Sequence, residues 1–324
     1  MRIISKEEIL SVIDIDEVIR AVREGFIDKD LGVIVNPAPM QILFQGKENK
    51  LYADCHVKAA QRKAGKYFVI KVASGFYQNK QADLPVNNGL SLLFCAQTGQ
   101  PLALFNDGGY LTSLRTAAAG ALSASLAKNH KNKIILGIIG TGHQARLQAE
   151  WINRYLNIEK VLILGRTPGG TKSFLSEIRH LEMNCSAVDS ANELARKADV
   201  IVTTTPSTSP ILMSADINKP VHIVAVGADS PGKQELDPNI LNRAEVVITD
   251  DHEQCLAHGE YGVAARANLL NSDSDIALGR VLSGETKNPI SGNGISVVDL
   301  TGLGAQDLAI ASNVWMKINK DTAC

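Results

Sequence analysis

The chain has 324 residues, is 45% hydrophobic, and carries a formal net charge of −1. This suits two domains or one elaborate α/β unit with sizeable cores, and it excludes recruitment of nucleic acid or anionic membrane by bulk charge. No eighteen-residue apolar run occurs, and Met1-Arg2-Ile3-Ile4-Ser5-Lys6-Glu7-Glu8 lacks a signal-peptide core. The five cysteines (Cys55, Cys95, Cys185, Cys255, Cys324) are widely spaced, with no C-x-x-C. A reduced, cytoplasmic chain without zinc or a disulfide framework is therefore expected.

The first element is a helix. Asp14-x-x-Glu17 is an Asp variant of the capping box, and Val18, Ile19, Val22 and Phe26 follow at helical spacing. Short strands are predicted next, at Met40–Phe44, Tyr67–Val72, Leu90–Cys95 and Leu102–Phe105. Thr98-Gly99 turns between the last two, and Phe76–Asn88 reads as a polar loop. Asn106-Asp107-Gly108-Gly109 breaks the chain. The small-residue run Thr112–Ser123 then suits a helix packed against another backbone, with Ser113 or Thr116 as its cap.

From Lys133 strands and helices alternate. Strands are predicted at Ile134–Ile139, Val161–Leu164, Val200–Thr205, Val221–Val226, Val246–Thr249 and Ile295–Leu300, and a last helix runs to about Ile318. This is the pattern of a Rossmann-type doubly wound parallel sheet, with ligands expected at the strand C-termini. The stretch Gly140-Thr141-Gly142-His143-Gln144-Ala145 supplies the decisive turn. Gly140 allows the sharp bend, Gly142 lets backbone approach a pyrophosphate, and Ala145 lets a helix from Gln144 to Tyr155 pack on the strand.

The second strand of such a unit usually ends in an acid for the ribose hydroxyls. Here it runs into Gly165-Arg166-Thr167. Arg166 can pair with a 2′-phosphate and Thr167 can donate to it, so NADP(H) is preferred and NAD(H) remains open. Lys71 ends an apolar run, either as a snorkelling edge residue or as a buried cation facing a substrate. Arg115 precedes an alanine-rich helix, as a surface residue or a carboxylate clamp. Asp229 lies just past a predicted central strand, where an acid can exchange a proton with a substrate nitrogen. Lys233 follows in a turn, as a phosphate contact or a solvated loop charge. His143 sits in the glycine turn, and His56 reads as structural. His252, His258 and Glu260 lack a compact metal spacing, so no metal is expected. No G-x-S-x-G elbow is present.

Four stretches together resemble the ornithine cyclodeaminase/mu-crystallin family over nearly the whole chain. They are Leu114–Ala119, Gly140–Ala145, Val226–Asp237 and Asp299–Asp307. The last two are most similar to the alanine dehydrogenase and imine-reducing branches. The resemblance implies a homodimer. It implies a substrate-binding and dimerisation domain over 1–115, completed by 304–324, and a Rossmann domain over 116–303. It also implies NAD(P)(H) and a small amino or imino acid as ligands. By the family pattern, Lys71 and Arg115 bind the substrate carboxylate, and Asp229 is the acid/base. Arg115, Thr116, His143, Gln144, Thr204, Val226, Gly227, Ala228, Lys233, Leu300 and Thr301 approach the cofactor.

The chain departs from the cyclodeaminase branch. Pro39–Phe44 holds no basic residue where cyclodeaminases carry a substrate-binding arginine. A second basic position of the alanine dehydrogenases falls near Tyr52. Val72–Tyr77 lacks the usual Asn and His-Pro, and Pro85-Val86-Asn87-Asn88 replaces a cofactor-touching threonine. The expectation is an NAD(P)H-dependent imino-acid reductase or amino-acid dehydrogenase. Ornithine cyclodeamination and non-catalytic dinucleotide binding are the alternatives.

Overall fold

The structure, a computed structural model, describes residues 1–46, 51–127 and 133–319; Cys324 lies outside them. The chain divides into two compact units, Met1–Arg115 with Leu303–Cys324, and Thr116–Gly302.

The first unit holds β1 (Arg2–Ser5), α1 (Lys6–Val12), α2 (Ile15–Asp30), β2 (Ile34–Val35), β3 (Met40–Gln45), β4 (Leu51–Arg62), β5 (Tyr67–Phe76), β6 (Asn87–Cys95) and β7 (Pro101–Asn106). The chain leaves it within α3 (Tyr110–Ala124). One sheet has the order β1-β7-β6-β5-β4-β2, with β3 also on β4. Asp14 caps α2 as expected, its carboxylate accepting from Glu17 N at 2.9 Å. The alternation of each strand gives the sheet two distinct faces. One carries the buried Ile4, Val69, Leu93 and Phe105, and the returning C-terminal helix packs on it.

Several expectations need correction. The strands β1 and β4 were not anticipated. The polar stretch Phe76–Asn88 is only partly a loop, because β5 runs to Phe76 and β6 starts at Asn87, paired with Gly75. Helix α3 starts at Tyr110, earlier than Ser113 or Thr116 would cap it. Asp107 holds its start, accepting from Gly109 N at 3.0 Å and Leu111 N at 2.7 Å. Cys55, Cys185 and Cys255 are free, but Cys95 is disulfide-bonded. Spacing along a chain does not report which sulfurs meet in space.

The second unit continues with β8 (Ile134–Ile139), α4 (His143–Ile152), β9 (Ile158–Leu164), α5 (Pro168–Glu177), β10 (Cys185–Ala187), α6 (Ala191–Lys197), β11 (Val200–Thr203), β12 (Thr208–Leu212), β13 (Val221–Ala225) and β14 (Gln234–Leu236). It is completed by α7 (Pro238–Arg243), β15 (Ala244–Thr249), α8 (His252–His258), α9 (Glu260–Arg266), β16 (Ile276–Ala277), α10 (Leu278–Ser283) and β17 (Ile295–Asp299). Helix α11 (Gly304–Ile318) returns to the first unit. The main sheet is parallel, in the order β10-β9-β8-β11-β13-β17-β15-β16. Successive strands leave β8 first toward β9 and then toward β11, which makes β8/β11 the topological switch point. Among the described residues, no helix is long and apolar enough to cross a membrane.

This unit buries four carboxylates, of which the sequence singled out only Glu260. Glu235, Asp250, Glu260 and Asp299 are each at most 1% exposed. Glu235 accepts from Thr203 Oγ1 at 2.7 Å, Thr205 N at 2.5 Å and Gly227 N at 2.8 Å. Asp250 accepts from Thr301 N at 3.0 Å and Gly302 N at 2.6 Å. Burial pushes the Asp299 carboxyl up to about 7, and the nearby Asp250 charge adds to the shift. Burial likewise raises Glu260 well above the carboxylate range, helped by the Asp299 charge. Because the folded form of Asp299 favours the proton, its stabilising contribution is complete below pH 3.8 and is lost as pH rises through about 7. Asp299→Asn is therefore expected to flatten this pH dependence and to raise stability at pH 8 by roughly 2 kcal/mol. Thermal melts of both proteins between pH 5 and 8 check this; a constant Tm difference across that range would refute it.

Candidate active site

A single register row crosses the parallel sheet: Leu164, Ile139, Thr203, Ala225 and Asp299. The expected cofactor residues begin one step beyond it. Gly165-Arg166-Thr167 follow β9, Gly140 follows β8, Thr204 follows β11, Val226-Gly227-Ala228 follow β13, and Leu300-Thr301 follow β17. Residues scattered over 160 positions of sequence thus line one sheet edge, because parallel strands end together.

The glycine turn has the geometry its spacing demands. Gly140 has φ +119°, and a Cβ there would lie 2.6 Å from Thr204 Oγ1. Gly142 has no neighbour within 4 Å of where its Cβ would stand. It caps α4 without a side-chain hydrogen bond, and no acid occupies the first turn. Gly142 therefore leaves clear space beside the first turn of α4, at the positive end of the helix dipole. Ala145 is fully buried. His143 is exposed at the first position of α4, one residue earlier than expected, and Gln144 is half-buried. This end of the helix fits a pyrophosphate.

Other expected contacts have internal duties. Thr167 Oγ1 accepts from Gly170 N at 3.2 Å as the cap of α5, while Arg166 is exposed. Thr204 Oγ1 donates to Ile139 O at 3.3 Å. The Thr301 hydroxyl donates to Asp250 Oδ1 and accepts from Gln254 Nε2, both at 2.8 Å, and its N–H is held by Asp250 as well. The carboxylate of Glu235 ties together the ends of β11 and β13, which fixes the Thr203–Thr205 and Gly227 backbone. Asp229 is partly exposed in the turn after β13, and its Oδ1 accepts from Lys233 Nζ at 2.7 Å. Lys233 is 7% exposed. It is not a solvated loop charge but the buried cation partner of Asp229.

In the first unit, Lys71 lies in the middle of β5 and is 1% exposed, which settles its reading as a buried cation. Arg115 is 7% exposed on α3, before the alanine run of Ala117 to Ala119. Both meet one residue that spacing did not single out. Asp307 Oδ2 lies 3.3 Å from Lys71 Nζ, and Asp307 Oδ1 lies 3.3 Å from Arg115 Nε. Gln306 Oε1 accepts from Arg115 Nη1 at 3.0 Å. The fit of α11 delivers these two residues: a Cβ on Gly304 would fall 2.2 Å from the Ala59 carbonyl oxygen, so only glycine lets the helix come this close to β4. Arg115 Nε and Gln306 Nε2 are buried without hydrogen-bond partners among the described residues.

Register adds further polar groups to the same sheet face. Lys58 pairs directly with Lys71, which pairs with Ser91; His56 and Asp54 follow at alternate positions of β4. All are at most 6% exposed. Buried lysines and aspartates on a sheet face packed by a helix are costly unless paired, as Lys71 is with Asp307.

The sequence matches the ornithine cyclodeaminase/mu-crystallin family over residues 2–322. The chain belongs to that family. An archaeal alanine dehydrogenase dimer with bound NAD superposes with a TM-score of 0.88 at 33% identity, covering 100% of this chain and 98% of that one. The iminosuccinate reductase of Paracoccus denitrificans in complex with NAD+ gives 0.86 at 30% identity, covering 99% and 97%. The Δ1-pyrroline-2-carboxylate reductase of Thermococcus litoralis, in complex with NADH and L-proline, gives 0.89 at 25% identity, covering 99% and 98%.

Proposed function

We propose that this family member is an NAD(P)(H)-dependent oxidoreductase that reduces an α-imino acid, or oxidises the matching amino acid. The observation that carries this reading is the buried group of Lys71, Arg115, Gln306 and Asp307, which holds two cations and two N–H donors without acceptors. A substrate carboxylate supplies those acceptors. Lys71 and Arg115 hold it and so fix the orientation of the α-carbon. Asp229 holds or moves the proton at the substrate nitrogen, and Lys233 balances its charge. The reductase and dehydrogenase activities named for the three similar structures support the same reaction class.

The clear space at Gly142, at the positive end of the α4 dipole, fits a dinucleotide pyrophosphate, with Gly140, His143, Gln144 and Thr204 around it. Arg115, Thr116, Val226, Gly227, Ala228, Lys233, Leu300 and Thr301 complete the proposed contacts. When bound, the nicotinamide supplies or accepts a hydride at the substrate α-carbon. NADP(H) is favoured over NAD(H) because Arg166 and Thr167 stand where an acid would select the unphosphorylated ribose.

We further propose a homodimer formed through the other face of the first unit's sheet. That face carries Ile3, Met40, Ile42, Phe44, Val57, Phe68, Ile70, Val72, Leu90, Leu92, Phe94, Leu102 and Leu104, none of them fully buried. Phe68 and Phe94 stack on it at 4.6 Å. A contiguous apolar face of this extent is larger than monomers expose.

A panel of cyclic imines, α-keto acids with ammonia, and L-ornithine tests the reaction, with NADH and NADPH compared. We expect stoichiometric oxidation of NADPH with an imino acid and a lower KM than for NADH. Ammonia release from ornithine without net cofactor turnover would establish cyclodeamination instead. No oxidation by any member of the panel would leave dinucleotide binding alone.

A further inference from the structure

We infer that Glu235 is a positioning residue for the acid/base: its carboxylate closes the loop that carries Asp229 and pins that loop to the end of β11. The inference rests on the imino-acid reading above, which gives Asp229 its role. The segment from Gly227 to Glu235 leaves β13 and enters β14. Gly227 N donates to Glu235 Oε2 at 2.8 Å, so the side chain at one end of the loop holds the backbone at the other. Within the loop, Lys233 Nζ donates to Asp229 Oδ1 at 2.7 Å, and Lys233 N donates to Ser230 O at 3.2 Å. A short loop whose ends meet and whose own groups fill it is held as one piece.

The same carboxylate reaches β11. Thr204 N still donates to Ile139 O at 2.9 Å and Val226 N to Thr203 O at 3.0 Å, in the manner of the sheet. One residue further on each strand, Glu235 takes over. Thr205 N donates to its Oε1 at 2.5 Å, beside the Gly227 N bond to Oε2, and Thr203 Oγ1 donates to Oε2 at 2.7 Å. The approach is close: a Cβ on Gly227 would lie 2.1 Å from Thr205 O and 2.6 Å from Glu235 Oε2. Glu235 is fully buried, and its own backbone is fixed from behind. Glu260 Oε1 on α9 accepts from Glu235 N at 2.6 Å and Leu236 N at 3.2 Å. In the sheet order, β11 and β13 lie on the opposite side of β8 from β9. A dinucleotide laid across this switch point, with its adenosine half over β9, sets its nicotinamide half over these two strand ends. One carboxylate thus fixes both the backbone beside the ring and the loop that bears Asp229.

Donor chemistry makes the role testable. Thr205 N and Gly227 N can only donate, and they fall one on each oxygen, so Glu235 needs both oxygens as acceptors. Glu235→Gln keeps the shape but has one acceptor oxygen, and its NH2 meets one of the two backbone N–H groups. Glu260 offers a matched contrast at comparable burial. Both of its backbone donors fall on Oε1, and Oε2 has no hydrogen-bond partner among the described residues. Glu260→Gln therefore keeps both bonds.

The test compares both variants with the wild type in steady-state kinetics, in dinucleotide binding by fluorescence, and in amide hydrogen exchange of the unliganded protein. Glu235→Gln should lower kcat for the imino acid by about 10²-fold, while KM and dinucleotide affinity stay within about threefold. Its loop amides from Gly227 to Lys233 should exchange at least about tenfold faster. Glu260→Gln should stay close to the wild type in both. Equal losses in the two variants, a Glu235→Gln loss carried by KM, or an unaltered Glu235→Gln kcat would overturn the inference. If Glu235→Gln does not fold, exchange in the wild type decides. Protected Thr205 and Gly227 amides uphold the clamp, and amides there that exchange as fast as exposed loop amides overturn it. A wild type that turns over no imino acid refutes the reductase reading itself, so the two failures are distinct.

Discussion

Lys71→Met is expected to lower kcat/KM for the imino acid by about 10²–10³-fold, mainly through KM, because it removes one arm of a buried charge clamp. Methionine fills a similar volume, so packing around β5 survives and the loss reports charge. Asp307 would then face Arg115 alone, with less competition but also less order. Asp229→Asn should behave differently. It keeps the shape at the substrate nitrogen and removes the proton carrier, so kcat should fall by about 10²–10⁴-fold with KM nearly unchanged. Dinucleotide binding, followed by fluorescence, should change less than twofold in Lys71→Met, because the proposed pyrophosphate contacts are backbone groups at β8 and α4. Steady-state kinetics of both variants check the split. Equal losses in kcat and KM for the two would place Lys71 and Asp229 in some shared structural role instead.

Leu92→Glu is expected to split the proposed dimer into monomers. Leu92 sits on β6 between Ile70 and Leu104, in the middle of the uncovered apolar sheet face. In a two-fold dimer every substitution is felt twice, and each buried carboxylate costs several kcal/mol unless it is paired. The dissociation constant should rise by more than about 10³-fold, visible by analytical ultracentrifugation. Leu93, its neighbour in sequence, points to the opposite, helix-covered face and is fully buried. Leu93→Glu should therefore unfold the unit, not merely separate protomers. A Leu92→Glu protein that remains dimeric would show that another surface joins the copies.

The parts of the fold that obey one simple pattern were legible in the sequence. The apolar runs of β8, β11, β13 and β17 are buried on both sides, and such runs announce parallel strands. Gly140 and Gly142 announced the turn because few other residues tolerate its geometry. The carry-over of roles to Lys71, Arg115 and Asp229 came from the resemblance, and the structure adds partners to each of them.

What was missed has physical causes. Strand β4 alternates correctly, but its polarity is inverted. Asp54, His56 and Lys58 point to the helix-covered face, while Cys55, Val57 and Ala59 point outward. A pattern rule that places apolar residues inward cannot recognise a strand whose buried side is the polar one. Asp307 was hidden in another way. An acid in the first turn of a helix is commonly explained by the helix dipole, and only the close approach of α11 shows that it meets two cations. Lys233 looked like a loop charge because its burial depends on the turn that brings it to Asp229. Glu235 and Asp250 left no signal, since their partners are mostly backbone N–H groups distant in sequence.

The most direct test of the central claim follows one atom. The wild-type protein is supplied with a cyclic imino acid and a reduced nicotinamide dinucleotide carrying deuterium at both C4 positions, and the product is analysed by NMR. The account predicts one deuterium at the α-carbon of the amino acid per cofactor oxidised. Cofactor oxidation without deuterium at that carbon, or no amino acid formed from any imino acid, would contradict it.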